Sequence, residues 1–210
     1  MAITKPFDEH FDEYENWFEI NRFAYESELL AVRALLPQSG DGMEIGVGSG
    51  QFAEPLGIRL GIEPSAKMSE AAQKRGVDVI EGVAEDLPFD DSQFDFALMV
   101  TTICFLDDVE MGIKEAYRVI KNGGSLIIGF VDKTSNLGQL YLKHKNESVF
   151  YKQATFYSTG EVITFLEKAG FSKFSFVQTI FRSLADIKAI EPIKKGYGSG
   201  SFVVVKAAKY

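Results

Sequence analysis

Residues 43–53 read Met-Glu-Ile-Gly-Val-Gly-Ser-Gly-Gln-Phe-Ala, with glycines at the alternate positions 46, 48 and 50. A short apolar run precedes these glycines, and a segment that could form a helix follows them. Because glycine has no Cβ, it permits a sharp turn and lets a ligand lie close to the backbone. Amide hydrogens at the start of the next helix would then face that ligand. The spacing predicts a cofactor loop at the end of a first parallel strand.

Outward from this loop, compact apolar runs alternate with segments of helical periodicity. The predicted strands after the loop are residues 58–62, 77–80, 94–100 and 125–131, and the predicted helices between them are residues 51–57, 66–75 and 107–120. Such alternation is typical of right-handed βαβ units. It predicts an α/β fold with a doubly wound, mostly parallel sheet, which residues 171–181 and 202–207 would complete with antiparallel pairing.

The whole chain, residues 1–210, is expected to form a single domain. Residues 7–23 carry aromatic side chains on one face of a predicted helix, and a second helix is predicted for residues 25–36. The aromatic face could pack on the core or cover a ligand, so an N-terminal helical lid is expected over about residues 1–37. Long connections of the kind that often carry function predict cap insertions over about residues 134–157 and 183–200.

Composition excludes several classes of protein. The 22 Lys and Arg against 30 Asp and Glu give a net charge of -8, which disfavours a broad surface for nucleic acid or anionic lipid. The single cysteine, Cys104, rules out an internal disulfide framework, and no Cys and His spacing indicates a metal site. The first residues lack an apolar signal core, and no apolar run approaches the length of a membrane span. A cytoplasmic protein is expected.

Charge near the glycine loop indicates the type of cofactor. Glu63 ends the second predicted strand, where an acidic residue can accept hydrogen bonds from both ribose hydroxyls of a nucleoside. Arg59 is the only cation between residues 43 and 66. Four acidic residues are expected near the loop: Glu44, Glu63, Glu85 and Asp86. This environment favours a ligand with an ammonium and a sulfonium over a pyrophosphate.

The main alternative is a nicotinamide-dependent oxidoreductase. Its G-x-G-x-x-G fingerprint is not met, because the third glycine comes one residue early and Gln51 occupies the expected place. A second alternative is a non-catalytic domain that binds the cofactor without turnover.

Several motifs in order along the chain resemble those of class I S-adenosylmethionine-dependent methyltransferases. They are Glu44-Ile45-Gly46-Val47-Gly48-Ser49-Gly50, Gly61-Ile62-Glu63-Pro64-Ser65, Ala84-Glu85-Asp86-Leu87-Pro88-Phe89, Phe94-Asp95 and Asn122-Gly123-Gly124. Within that superfamily the chain most resembles the small-molecule group of quinone-biosynthesis (type 11) methyltransferases. The match is specific over residues 40–132 and weaker towards both ends. The resemblance implies a seven-stranded sheet with an antiparallel last strand, and S-adenosyl-L-methionine as cofactor.

The resemblance also implies roles for individual residues. Glu44 and the glycines would line the methionine part of the cofactor, and Glu63 would hold its ribose. Met68 would cover the adenine face and Ala84 with Glu85 would meet the adenine edge, although Val83 stands where the family often has an acidic residue. The complete expected cofactor-binding set is Tyr14, Trp17, Glu44, Gly46, Gly48, Gly50, Glu63, Pro64, Met68, Ala84, Glu85 and Thr101.

The implied reaction is an in-line displacement whose leaving group is a neutral thioether. Positioning and exclusion of water can supply much of the rate, and a general base matters only if the acceptor must lose a proton. His10 and His144 are candidate bases, Cys104 is expected to be a packed thiol, and no catalytic residue is assigned. Residues 101–104 lack the Asn/Asp-Pro-Pro-aromatic signature associated with amino-methylation of nucleobases. A small-molecule acceptor is therefore expected and DNA is not, while RNA and protein acceptors stay open.

Overall fold

The computed structural model describes residues 3–210; Met1 and Ala2, the first residues of the expected lid, lie outside the described residues. Within this range the helices are α1 (Lys5–Glu9), α2 (Phe11–Ile20), α3 (Arg22–Leu35), α4 (Ala53–Leu56), α5 (Ala66–Lys74), α6 (Val109–Val119), α7 (Asn136–Lys143) and α8 (Thr159–Ala169). The strands are β1 (Gly42–Ile45), β2 (Leu60–Ile62), β3 (Asp78–Ile80), β4 (Phe94–Val100), β5 (Ile120–Val131), β6 (Ser172–Thr179), β7 (Lys194–Lys195) and β8 (Phe202–Ala208).

All strands of the described range join one sheet in the order β3-β2-β1-β4-β5-β8-β6-β7. Strands β1 to β5 pair in parallel, while β8 is antiparallel to both β5 and β6. The predicted doubly wound, mostly parallel fold with an antiparallel last strand is therefore confirmed. Besides the seven strands that were expected, the sheet contains the two-residue β7, which pairs with Val177 and Gln178 of β6.

Helices cover both faces of the sheet. On one face α6 and α8 bury Ile113 and Leu166 against strand residues such as Met99. On the other face α3 buries Val32, and α5 and α7 bury Ala72 and Leu137 against the same sheet. A sheet covered in this way has apolar strands, which explains the continuous apolar run of β4.

Local signals set the ends of several helices. Helix α5 begins after Ser65, whose Oγ accepts a hydrogen bond from the Met68 amide at 3.2 Å. Helix α8 begins with a capping box between Ser158 and Glu161 and ends at Gly170, which has φ +104°. None of the helices formed by residues 3–210 has the length and apolar character that crossing a membrane requires.

Two predicted segments differ from the structure. The single helix predicted for residues 7–23 is interrupted at His10 and Asn21, so α1, α2 and the start of α3 replace it. Residues 134–157 contain α7 and two short 3₁₀ turns, Lys145–Glu147 and Tyr151–Gln153. These breaks let the N-terminal helices fold back over the carboxyl ends of the strands.

Candidate active site

A cavity lies at the carboxyl ends of β1, β2 and β4, where the strand order reverses around β1. In open α/β sheets, ligands bind at this reversal. The cavity contains about 750 Å³ of space not filled by protein, and this figure includes open solvent. Its wall includes these predicted site residues: Tyr14, Gly46, Gly48, Glu63, Pro64, Met68, Ala84, Glu85 and Thr101.

The glycine loop forms one wall of the cavity. Gly46 and Gly48 have φ values of +68° and +54°, which favour glycine. A Cβ on Gly46 would lie 2.3 Å from Thr102 Cγ2, and a Cβ on Gly48 would lie 3.0 Å from Tyr14 Oη. The Gly46 amide donates to the Ile62 carbonyl at 2.8 Å. The loop is thus held against β2. Because Gly46 and Gly48 have no side chains, Thr102 and Tyr14 can lie close to the loop backbone.

Glu63 lies at the end of β2 and is 8% exposed. Its Oε2 accepts a hydrogen bond from the Gly48 amide at 2.8 Å, and its Oε1 accepts one from the Ser65 amide at 2.9 Å. Burial raises the pKa of Glu63, and these two bonds oppose that rise. Each carboxylate oxygen has a second lone pair, so Glu63 can still accept hydrogen bonds from two hydroxyls in the cavity.

Glu44 lies beneath the loop and is not among the residues that line the cavity. It is 2% exposed, and its Oε2 has no hydrogen-bond partner among residues 3–210. Burial and the neighbouring Glu63 raise the pKa of Glu44 well above its usual value. An unsatisfied buried acceptor is costly, and a cationic group of a ligand on the loop would relieve that cost.

Gly50 and Trp17, two residues of the expected cofactor-binding set, also lie away from the cavity wall. Gly50 faces α5, where a Cβ would lie 3.3 Å from Ala72. The Trp17 ring packs edge-on against Phe18 at 5.2 Å. Both residues belong to α2, and of the two it is Tyr14 that lines the cavity.

Aromatic contacts hold the N-terminal helices over the cavity. Phe7 of α1 packs edge-on against Phe105 at 5.1 Å and lies 5.5 Å from Phe150. Tyr14 of α2 lies 6.2 Å from the same Phe150 ring. Both Phe7 and Phe105 line the cavity. Phe105 was not predicted as a site residue, because the residues it contacts are distant along the chain.

Polar contacts tie the same helices to the loop. Glu15 of α2 accepts hydrogen bonds from Ser49 Oγ at 2.5 Å and from Gln51 Nε2 at 3.2 Å. Arg75 donates to the Glu15 carboxylate at 2.5 Å and to the Ser49 carbonyl at 2.8 Å. In α1, Asp8 accepts from Ser65 Oγ at 2.6 Å. The N-terminal helices therefore hold the glycine loop and the start of α5 together.

The far end of the cavity is formed after β3 and β4. Ala84 and Glu85 lie there as expected, together with Val83 and Asp107. Glu85 Oε1 accepts a hydrogen bond from the Asp108 amide at 3.1 Å, so this carboxylate also supports the start of α6. Asp107 was not predicted as a site residue. Its position a few residues after the buried strand β4 could have indicated it.

Thr101 ends β4 in an unusual backbone conformation. Its φ is +53°, which is rare for a β-branched residue, and its amide donates to the Gly129 carbonyl at 2.8 Å. The next residue, Thr102, donates from Oγ1 to the Gly46 carbonyl at 3.1 Å. Backbone strain of this kind clusters at functional sites. Nothing in the local sequence indicates the left-handed conformation.

The candidate bases named from the sequence are not on the cavity wall. The His10 ring lies 2.9 Å from Glu13, and the exposed His144 ring lies 2.9 Å from Glu147. Burial raises the pKa of the Cys104 thiol to about 12, so the thiolate is scarce near neutral pH. Among residues 3–210, no group of three His, Cys, Asp or Glu side chains could hold a metal ion.

The cavity fits a cationic nucleoside better than a dinucleotide. Glu63, Glu85 and Asp107 line it, and no lysine or arginine of the described chain does. A diphosphate would meet acidic side chains without a cation to balance it. An ammonium and a sulfonium would meet complementary charge, with the unpaired Glu44 oxygen below the loop.

Comparison with known proteins gives consistent results. Residues 43–128 match a family model described as a methyltransferase domain. An uncharacterised protein of Methanocaldococcus jannaschii is 44% identical over 97% of this chain and 98% of that protein. A 2-methyl-6-phytyl-1,4-hydroquinone methyltransferase of Oryza sativa subsp. japonica is 32% identical over 53% of this chain and 38% of that protein.

A solved structure from Thermotoga maritima resembles the chain over its whole length. It is described as a SAM-dependent methyltransferase, possible histamine N-methyltransferase. The two chains are 55% identical and superpose with a TM-score of 0.97, covering 99% of this chain and 100% of that one.

Proposed function

The chain belongs to the S-adenosylmethionine-dependent methyltransferases, and we propose that it transfers the methyl group to a small-molecule acceptor by in-line displacement. S-adenosylmethionine is its cofactor, and the protein is an enzyme. The observation that best supports the proposal is a cavity that acidic side chains line, without a lysine or arginine from residues 3–210, and that aromatic side chains of the N-terminal helices partly cover.

The proposed roles follow from the positions of the side chains. Glu63 would hold the ribose hydroxyls, Met68 would pack against the adenine, and the Gly46 and Gly48 backbone would lie against the methionine part. Glu44 would act from below the loop as the counter-charge of the ammonium. The other members of the predicted binding set would line the cofactor cavity or support the residues that line it: Tyr14, Trp17, Gly50, Pro64, Ala84, Glu85 and Thr101.

The proposed chemistry makes few demands on proton transfer. When bound, the cofactor supplies an activated methyl group on a sulfonium, which departs as a neutral thioether. The protein would therefore act mainly by orientation and by exclusion of water. Phe7 and Tyr14, which cover the cavity, are suited to exclude water from it.

A small acceptor is supported by two relatives. The names of the rice protein and of the Thermotoga protein refer to methylation of a hydroquinone and, as a possibility, of histamine. Both acceptors are small molecules. We also propose a single domain with a lid over about residues 1–37, caps over about residues 134–157 and 183–200, and a cytoplasmic location. DNA is not proposed as an acceptor, in line with the net charge of -8.

Calorimetric titration with S-adenosylmethionine, S-adenosylhomocysteine and NADH tests the cofactor site. Saturable binding of the first two is expected, without binding of NADH. In Glu63→Gln the new amide nitrogen would face the Gly48 or Ser65 amide, so affinity is expected to fall about tenfold to a hundredfold, as for a hydrogen bond to a charged group.

Glu81→Gln is the matched control, because Glu81 follows the neighbouring strand β3 and is exposed. Unchanged affinity in Glu63→Gln would refute the role of Glu63. NADH binding alone would refute the proposed function. Turnover by the wild-type protein with a panel of amines and quinols then tests the acceptor class.

A further inference from the structure

Residues 188–199, between β6 and β8, form an exposed segment that combines lysines with apolar side chains. The lysines at positions 188, 194 and 195 are exposed, whereas the single acid of the segment, Glu191, is buried. Ile190 is 48% exposed, Ile193 37% and Tyr197 48%. The chain as a whole has a net charge of -8, so this segment locally reverses the sign of the surface charge.

Contacts with the core hold the first half of the segment. Ile187, just before it, is buried in the core, and the Glu191 amide donates to Ser27 Oγ of α3 at 2.8 Å. The Glu191 carboxylate accepts a hydrogen bond from the Phe181 amide and pairs with Arg182 at 3.3 Å. Glu191 therefore has its partners inside the fold and adds no exposed negative charge beside the lysines.

Contacts with β6 hold the second half. The Gly196 amide donates to the Phe176 carbonyl at 3.0 Å, and Gln178 Oε1 accepts a hydrogen bond from the Ser199 amide at 2.8 Å. The Tyr197 ring lies 4.9 Å from the Phe176 ring, measured between centres. The apolar side chains are thus presented on an ordered backbone, which lowers the entropy lost when a partner binds.

The positive charge of the segment is not neutralised by its surroundings. None of its three lysines forms an ion pair with another residue in the range 3–210. The exposed acid that precedes the segment, Asp186, is offset by Arg182, which is also exposed. At physiological ionic strength, charges farther away than about 8 Å are largely screened. The local charge therefore outweighs the net charge of the molecule for a partner that contacts this surface.

The edge of the sheet at this surface disfavours a partner that would add a strand. Strand β7 is the outermost strand on this side, and its two residues are lysines. Short edge strands that carry lysine resist pairing with other chains. Protection of the edge accounts for Lys194 and Lys195, but it does not account for Lys188 or for the exposed isoleucines.

An anionic lipid surface matches both features of the segment without strand pairing. Apolar side chains can enter the boundary between head groups and acyl chains, while lysines next to them contact anionic head groups. Strand β8 is antiparallel to both β5 and β6, so β6 ends at the same edge of the sheet as β4 and β5. The segment therefore lies at the edge of the sheet that also carries the cofactor cavity.

We propose that residues 188–199 dock the protein peripherally on an anionic lipid bilayer. Ile190, Ile193 and Tyr197 enter the interface, and the three lysines of the segment lie against the head groups. Docking brings the edge of the sheet that carries the cofactor cavity towards the bilayer. This inference goes beyond the proposed function and does not depend on which acceptor is methylated.

Sedimentation with lipid vesicles tests the docking surface. Vesicles that mix phosphatidylglycerol with phosphatidylcholine are compared with vesicles of phosphatidylcholine alone. Partitioning is expected to be at least about tenfold stronger onto the anionic vesicles and to weaken as salt is added. A variant that combines Lys188→Gln, Lys194→Gln and Lys195→Gln is expected to lose at least about tenfold in partitioning onto the anionic vesicles.

The matched control combines Lys114→Gln, Lys143→Gln and Lys152→Gln. It changes the net charge by the same amount at exposed positions outside the segment, so its partitioning should stay close to that of the wild type. Thermal unfolding checks that each variant is folded, and affinity for S-adenosylhomocysteine is expected to be unchanged in both.

Insertion of the apolar side chains is measured separately. Ile193→Cys labelled with an environment-sensitive fluorophore is expected to shift its emission to the blue when anionic vesicles are added. Lys114→Cys, labelled in the same way on α6, is expected to show no shift. The native Cys104 should label slowly, because burial raises the pKa of its thiol to about 12.

Equal partitioning onto the two kinds of vesicle overturns the inference, as does equal partitioning of the wild type and the variant of the segment. Absence of an emission shift at position 193 also overturns it. A dimer in sedimentation velocity without vesicles that Ile190→Ser with Ile193→Ser dissociates would mean that a second copy of the chain covers this surface instead of lipid. Vesicle binding is measured without cofactor, so failure of S-adenosylhomocysteine to bind would refute the proposed function alone.

Discussion

Gly46 is constrained in two independent ways. Its φ of +68° favours glycine, and a Cβ there would lie 2.3 Å from Thr102 Cγ2. Gly46→Ala is therefore expected to lower the free energy of unfolding by about 1–3 kcal/mol, the usual range for overpacking. Cofactor affinity should fall as well, because the loop must move. Denaturant unfolding and calorimetric titration measure the two effects.

Gly160→Ala is the control for this substitution. Gly160 lies in the first turn of α8, and a Cβ there would meet nothing within 4 Å. It is expected to stabilise the protein by up to about 1 kcal/mol, the difference in helix propensity between alanine and glycine. A Gly46→Ala protein with wild-type stability and affinity would show that the loop tolerates a side chain.

A site residue could be predicted from the sequence where the residues next to it along the chain form a recognisable motif. Gly46, Gly48 and Glu63 were indicated by adjacent residues, and the structure brings these three to one cavity. The left-handed Thr101 and the buried Glu28 were not indicated, because tertiary contacts determine both. The role of Trp17 stays a prediction, since a helical face specifies a side of a helix but not what covers it.

Helix α2 is attached to the glycine loop mainly through Glu15. The pair with Arg75 is partly exposed, at 24% for Glu15 and 31% for Arg75, so its contribution is expected to be about 1 kcal/mol. Glu15→Gln should speed dissociation of the cofactor about fivefold and raise hydrogen exchange in α1 and α2. Stopped-flow displacement and hydrogen-exchange measurements report the two effects.

Glu19→Gln is the control, because it removes one negative charge from an exposed position of the same helix. Equal dissociation rates in the two variants would mean that α2 does not limit release of the cofactor. Faster hydrogen exchange in Glu15→Gln without faster dissociation would mean that the helices open more often but that their opening does not control release of the cofactor.

At the level of elements, the apolar runs predicted the parallel strands well. Strand β4 has the predicted ends, Phe94 and Val100. Strand β5 begins at Ile120 rather than at residue 125, because Ile120 pairs with Phe94 and the strand continues through the Asn122-Gly123-Gly124 turn signal. Helix α7 was missed, since residues 134–157 mix aromatic and basic side chains without clear periodicity.

For the whole molecule, buried acids are expected to control the dependence of stability on pH. Burial raises the pKa of Glu28 to about 8 and also raises the pKa values of Glu44 and Glu63. The folded protein then binds more protons than the unfolded chain between about pH 4.5 and pH 8. Stability should therefore fall as the pH rises through this window, by roughly 1 kcal/mol per pH unit at most from Glu28, and Glu44 and Glu63 should change it in the same direction.

Thermal unfolding of the cofactor-free protein at pH 5 to 8 measures this effect. The melting temperature is expected to decrease with pH, and Glu28→Gln should flatten the slope, whereas Glu81→Gln should not. Below about pH 4 the trend reverses, because carboxylates such as Glu161 have a pKa lowered to about 2 by Lys133 and Ser158. A melting temperature that rises from pH 5 to pH 8 would contradict the role of the buried acids.

The position of β8 has a consequence for the way the protein is made. It lies between β5 and β6 although it follows both along the chain. During synthesis, one edge of β6 therefore has no partner strand until residues 202–208 leave the ribosome, and the two-residue β7 is the strand that pairs with its other edge. Open strand edges invite pairing with other chains, and late long-range pairing is slow. We expect the nascent protein to depend on chaperones up to its last strand, and translation that stops before residue 202 to yield an aggregating fragment rather than a smaller enzyme.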